Sequence, residues 1–129
     1  MSVHTLMLEV KDKLQGINGV VTVKIGIEPN MTGRDYPAVR IVAGTNRRGE
    51  YLYENIMFTV YFGENLHDKI GMEEIYNRLY AYEGEIRDRL DTFQPTIGGL
   101  CKWVDTVSDE DRLEGFKILA SRFTVDGAR

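Results

Sequence analysis

The sequence is poor in the residues on which most catalytic and metal sites depend. Its 129 residues include two histidines and one cysteine, so Cys101 has no internal disulfide partner and a reducing compartment is the simpler expectation. No apolar run approaches the length of a membrane span, and the first ten residues lack the pattern of a secretory signal. We therefore expect a soluble protein that is made in the cytoplasm and does not enter a membrane.

The chain also lacks an excess of basic residues. Its formal net charge of -4 and pI near 5.2 argue against a protein whose main task is to bind nucleic acid. An acidic surface near DNA would instead reduce sticking, which suits DNA that must slide past. The length is that of one domain with a single core, which we assign to residues 1–129.

No arrangement of polar residues matches a known catalytic or metal-binding pattern. His4 and His67 lie far in sequence from any patterned carboxylate or cysteine, and Cys101 has no recognisable base beside it. The acidic run at residues 109–111 lacks the alternating oxygen ligands and turn glycine of a calcium loop. We expect no enzymatic activity, no cofactor and no metal, with an enzyme of unfamiliar site as a minor alternative.

Apolar periodicity predicts two helices and five strands. A three-four spacing predicts a helix that begins near Ser2 and stops at Gly16, and a second helix over residues 68–92. The predicted strands cover residues 20–28, 37–43, 51–63, 100–107 and 116–125. The order α-β-β-β-α-β-β predicts an α+β fold, with an antiparallel or mixed sheet and both helices on one face.

The strand predicted at residues 51–63 is unusual because both of its faces carry large side chains. Leu52, Ile56, Phe58, Val60 and Phe62 alternate with a second set that includes three of the seven tyrosines. Tyrosine is favoured where one end of the ring is buried and the other is wet, as at subunit contacts. A self-association surface and ordinary packing both remain open on this ground. The charged residues 44–50 before it predict a polar hairpin tip.

Several segments together resemble a known family. The segments are Asp35-Tyr36-Pro37-Ala38-Val39 at the entry to a strand, the charged hairpin leading into residues 51–62, the helical Ile75-Tyr76-Asn77-Arg78-Leu79, and the closing Arg122-Phe123-Thr124-Val125. In size, element order and these patterns the chain resembles the tail terminator, or minor tail completion, proteins of long-tailed bacteriophages. The resemblance spans nearly the whole chain.

The resemblance implies a structural role in the virion, at the end of the tail that joins the head. Members of the family form a six-fold ring that caps the tail tube, ends its polymerisation and presents the surface for the filled head. The implied partners are further copies of the chain, a tail-tube protein and a head-completion or neck protein, while DNA passes the lumen without specific binding. A head-to-tail contact that closes on itself would use two different faces of each subunit.

Exposure and charge then suggest contact residues for this role. The subunit contact is assigned to Tyr51, Tyr53, Met57 and Tyr61. The contact with the tail tube or a neighbour is assigned to Arg47 and Arg48, and the acidic rim or lumen to Asp109, Glu110 and Asp111. Two alternatives stay open: a neck or head-completion connector, and a small dimeric α+β binding module with a pocket near Trp103.

Overall fold

A computed structural model of the protein describes residues 3–26, 36–48, 54–65, 71–109 and 116–128. The elements are α1 (Val3–Leu14), β1 (Thr22–Ile25), β2 (Ala38–Arg48), β3 (Glu54–Asn65), α2 (Met72–Leu90), β4 (Leu100–Asp109) and β5 (Phe116–Ala128). Their order is the predicted one. The α+β class of the fold is therefore confirmed.

The described strands form one mixed sheet in the order β1-β2-β3-β5-β4. β1 lies parallel to β2, and every other neighbouring pair is antiparallel. β2 and β4 therefore run in opposite directions, since three antiparallel steps separate them. β1 is short and pairs only with residues 38–41 of β2, where it extends the sheet on one side.

Both helices cover the same face of the sheet, which we call the helix face. α1 packs on β1 and β2, α2 packs on β3, β4 and β5, and the two helices also contact each other. The core lies between these layers, where the rings of Phe58 and Phe123 stack with centroids 5.4 Å apart. Alternate residues of the strands supply the sheet side of this core, because successive side chains point to opposite faces. The other side of the sheet, which carries Arg40, Met57, Tyr61 and Arg122, we call the open face.

The predicted helix boundaries are close to those observed. α1 ends at Leu14, and Gly16 follows with a φ of 80°, a conformation that a residue with a side chain adopts only with strain. α2 runs without interruption through Gly84, at a position where an added Cβ would meet open space. Ser2, which was predicted to cap α1, lies outside the described residues.

The prediction that residues 44–50 form a hairpin tip is wrong for its first part. β2 continues to Arg48, and its last residues pair with β3 in the register Arg47 with Asn55 and Arg48 with Glu54. A β-bulge between Ala43 and Asn46 accommodates the polar sequence, with an extra residue opposite Met57. An added Cβ at Gly44 would lie 3.0 Å from the Met57 carbonyl oxygen, so the bulge requires the small residue. The strand predicted from residue 51 is described from Glu54 onward.

Candidate assembly surfaces

The open face of the sheet is uncovered over most of its described area and mixes polar and large apolar side chains. Met57 and Tyr61, two of the four residues assigned to a subunit contact, lie on it in β3 and are half-buried. Tyr51 and Tyr53, the other two, lie outside the described residues. The structure therefore brings Met57 and Tyr61 onto one surface, four positions apart on the same strand.

One end of the open face carries a buried cation that sequence reasoning missed. The Arg40 side chain is buried, donates a hydrogen bond to the Tyr36 hydroxyl, and has its guanidinium carbon 5.7 Å from the Tyr36 ring centroid. Tyr36 reaches this place because Gly63 has no side chain: an added Cβ there would lie 3.1 Å from the Tyr36 ring. In the sequence, Tyr36 directly precedes the strand predicted from residue 37. Only its size and aromatic character indicated that it would be buried.

Arg47 and Arg48 lie at the end of β2 and are exposed, as predicted for a contact with another protein. Because they are consecutive on a strand, they point to opposite faces: Arg47 to the open face and Arg48 to the helix face. Neither face is covered at this end, since all six residues from Ala43 to Arg48 are exposed.

Asp109, the first of the three acidic residues, lies at the opposite end of the sheet. Asp109 is the last residue of β4 and pairs with Ile118, which in turn is level with Gly63 and with Ala38 at the start of β2. Glu110 and Asp111 lie outside the described residues. Asp109 is thus separated from Arg47 and Arg48 by most of the length of the sheet.

A polar network joins α2 to β4 at the edge of the helix face. The Thr106 hydroxyl donates to a carboxylate oxygen of Glu83 at 3.2 Å and accepts from the Trp103 indole N–H at 3.0 Å. Its oxygen also lies 2.9 Å from the Ser121 hydroxyl, which is left to act as the donor because Thr106 has one hydrogen. The Arg87 guanidinium pairs with Glu83 and stacks over Trp103, 3.8 Å from the ring centroid.

This network borders an open cavity of about 320 Å³, which Tyr80 and Ser108 also line. Two polar atoms in it, Arg87 Nε and Ser108 Oγ, are buried without a hydrogen-bond partner. The cavity lies in the Trp103 region, where the binding-module alternative predicts a pocket. Its charged groups are all paired: Glu83 with Arg87, and Asp105 with Arg122. The lining therefore offers hydrogen bonds and an aromatic surface.

A second buried polar group is Glu64, near the end of β3. Its carboxylate accepts a hydrogen bond from the Tyr82 hydroxyl at 3.2 Å and lies 3.5 Å from an Arg78 guanidinium nitrogen. Burial, and to a smaller extent the charge of Glu64, raise the pKa of Tyr82 to about 12. This cluster fastens α2 to β3 and borders an open cavity of about 390 Å³.

The remaining candidates for chemistry are the cysteine and the two histidines. Cys101 is fully buried, and burial raises the pKa of its thiol to about 12, so the nucleophilic thiolate is suppressed. His4 is exposed on α1, and His67 lies outside the described residues. Across residues 3–26, 36–48, 54–65, 71–109 and 116–128, no three acidic, histidine or cysteine side chains converge as metal ligands. In the same residues, no helix is long and apolar enough to cross a membrane.

The comparisons with known proteins add a structural likeness. No family model matches the sequence, and no curated protein sequence is similar to it. Among solved structures, the fold is similar to that of a chain in the virion of a native gene transfer agent particle, with a TM-score of 0.63. The two chains are 9% identical, and the match covers 96% of this chain and 95% of the other. At this identity the likeness shows a shared fold over nearly the full length of both chains.

Proposed function

We propose that the protein is a structural component of a phage-like particle, where it caps the tail tube as a six-membered ring and joins the tail to the head. The observation that carries the proposal is the fold shared, over 96% of this chain, with a chain of the gene transfer agent virion. The resemblance of the sequence to tail terminator proteins supports the particular position. In this proposal the chain belongs to the virion, at the head-tail junction.

The separation of charge along the sheet supports two docking ends. A terminator must bind the tail tube on one side of the ring and the head-completion protein on the other. Arg47 and Arg48 at one end of the sheet would meet the tube or a neighbouring copy, and Asp109, with Glu110 and Asp111 after it in the sequence, would form the acidic rim or lumen. Each group would then meet a different partner, and the acidic lining would let DNA pass unbound.

The subunit contact is proposed to include Met57 and Tyr61 on the open face, together with Tyr51 and Tyr53. Half-buried residues of this size have more apolar surface to bury in an assembly than small polar residues do. Tyr61 also lies beside the buried Arg40, its partner in the ladder, so one edge of this patch is already held in place.

Deletion of the gene from the genome that carries it tests the role. If the protein ends tail polymerisation, electron microscopy should show tails of irregular and excessive length and filled heads without tails, and a plasmid copy should restore both. Tails of normal length that fail to join heads would instead place the protein at the neck. Normal infectious particles after deletion would contradict a structural role.

The small binding module remains a second candidate because of the cavity beside Trp103. That reading predicts a dimer that binds a ligand between α2 and β4, where Arg87 Nε and Ser108 Oγ have no partner. Replacement of Trp103 by alanine would then abolish ligand binding, whereas in the terminator it would mainly destabilise the fold.

A further inference from the structure

Among the described residues, the outer sides of β2 and β4 are covered over only part of their lengths. On one side, β1 pairs with residues 38–41 of β2 and stops there. The Ile41 carbonyl points toward β1, where it accepts from the Gly26 N–H at 2.7 Å. Because the bulge after Ala43 adds one residue, alternation then points the backbone groups of Asn46 and Arg48 to that same side, away from β3. Within the described residues, no strand pairs with this side of residues 43–48, which we call the free segment of β2.

On the other side, the turn after α2 covers only the first half of β4. The Cys101 N–H donates to the Phe93 carbonyl at 2.9 Å, and its carbonyl accepts from the Thr92 N–H at 2.7 Å. The Trp103 N–H donates to the Asp91 carboxylate at 2.9 Å. After the bulge at residue 104, alternation points the backbone of Thr106 and Ser108 outward. No backbone bond from another described residue reaches them, and we call residues 104–109 the free segment of β4.

We propose that the free segment of β2 in one copy pairs antiparallel with the free segment of β4 in the next copy, so that one sheet continues from subunit to subunit. This pairing rests on the proposed ring and moves its subunit contact to the strand edges, with Met57 and Tyr61 of β3 one strand away from it. Because β2 and β4 run in opposite directions within a subunit, rotation about an axis roughly along the strands brings them together as an antiparallel pair. Each copy offers one edge of each kind, which is the condition for a head-to-tail contact that closes.

The positions of the two free segments fit a closed barrel. Following the register across the sheet, Thr106 pairs with Ser121, Ser121 with Val60, and Val60 with Ile41 of β2. Asn46 pairs with Ile56, which lies four residues from Val60 along β3. Asn46 is therefore displaced from the level of Thr106 by four residues along the strands. Joining Asn46 to Thr106 of the next copy thus staggers the sheet by roughly 13 Å, at about 3.3 Å per step, across four strands about 4.8 Å apart. The strands would then tilt by about 35°, which is within the range that closed barrels require.

The same register brings opposite charges together. With Asn46 opposite Thr106, Arg47 lies directly opposite Asp105, and both side chains are on the open face. The backbone of these two residues points into its own sheet, so they form a non-hydrogen-bonded pair, the kind in which side chains approach most closely. Asp105 already accepts from Arg122 and has further lone pairs for a second guanidinium.

Closure would also explain why long exposed edges are present at all. An unpaired strand edge with six consecutive exposed residues is a template for uncontrolled pairing. The free segments carry no proline that would prevent such pairing. In a ring, both free segments of every copy would be paired with a neighbouring copy. The bulges in β2 and β4 set the register of the pairing at each side.

Disulfide trapping tests the pairing directly. The variant Arg47→Cys with Asp105→Cys places two thiols at the predicted contact, and oxidation should give a reducible ladder of covalent species that stops at six subunits. Within one subunit the two positions are three strands and several residues apart, beyond the roughly 7 Å between Cα atoms that a disulfide can span. The native Cys101 is buried and does not compete.

The matched control is Arg47→Cys with Lys102→Cys. Lys102 is exposed on the same face of β4 but lies in the half that the turn after α2 covers. This pair should give no ladder. Oxidation also traps transient encounters, so an unlinked Arg47→Cys with Asp105→Cys variant overturns the pairing, as does equal linking in the control. A native mass of six subunits without cross-linked species would reject the pairing but keep the ring. Cross-linked species larger than six subunits would keep the pairing and reject the six-membered ring.

Discussion

The two halves of β2 differ in both pairing and burial. Residues 38–41 lie between β1 and β3, are fully paired and are buried on both faces. Residues 43–48 are exposed on both faces and, in the part of the chain that the structure describes, pair on one side only. The same strand therefore contributes to the core of the subunit with its first half and extends beyond it with its second. In the proposed ring, this exposed second half is the part that contacts a neighbouring copy.

The largest expected effect comes from Ile41→Ala in the first half. Ile41 is fully buried in the core, so its truncation should lower the free energy of unfolding by about 2–5 kcal/mol. The matched variant Asn46→Ala, five residues along the same strand, removes an exposed side chain and should change it by less than about 0.5 kcal/mol. Urea denaturation measures both. Equal losses would mean that both halves hold the subunit together.

A smaller effect is expected from Tyr82→Phe, which tests the helix-covered side. The variant removes the hydrogen bond to the buried Glu64 but leaves the ring, and should cost about 1 kcal/mol in the free energy of unfolding. Chemical denaturation at pH 7 provides the measurement. No loss would show that Arg78 alone satisfies the Glu64 carboxylate.

The pH dependence of stability gives a second readout of the same group. The pKa of Tyr82 is raised from 10.0 to about 12, so the folded state holds this proton more tightly than the unfolded chain does. Its contribution is complete below pH 10 and is lost as the pH rises toward 12. Tyr82→Phe should make this alkaline decline shallower. The Cys101 thiol, whose pKa is also raised to about 12, contributes to stability over an overlapping pH range. Cys101→Ala measures that contribution separately.

The sequence predicts the structural features that depend on residues close together in the chain, and it misses those that depend on distant strands. The helices and the core face of β3 follow from periodicity, because burial selects apolar residues at fixed spacing. The extension of β2 through Gly44 and Thr45 was missed because those residues have turn chemistry, and pairing with β3 decides their conformation. The parallel contact of β1 with β2 is equally invisible in a local pattern.

The candidate surfaces were predictable in part. Exposure of Arg47 and Arg48 follows from their charge, and the structure bears it out. Their distance from Asp109 could not be read from the sequence, since it depends on the strand order β1-β2-β3-β5-β4. The pair of Glu83 with Arg87 has the i,i+4 spacing of neighbours on a helix, so the sequence could have indicated it. The stacking of Arg87 on Trp103 joins α2 to β4 through a tertiary contact, which no spacing indicates.

The smallest effect on stability, and a large one on assembly, is expected from Arg47→Glu with Arg48→Glu. Both side chains are exposed at the end of β2, so the free energy of unfolding should change by less than about 0.5 kcal/mol. Reversal of both charges should prevent docking and the pairing of Arg47 with Asp105. Particles from a complemented deletion strain should then show abnormal tails in electron microscopy. Tails of normal length would show that this end of β2 is not part of the docking surface.

The absolute mass of the protein in solution, measured by light scattering over a concentration series with and without magnesium, tests the central claim most directly. The account predicts a species of six 14.8 kDa chains, about 89 kDa, whose share rises with concentration. A stable dimer of about 30 kDa at every concentration would contradict the ring and favour the binding module.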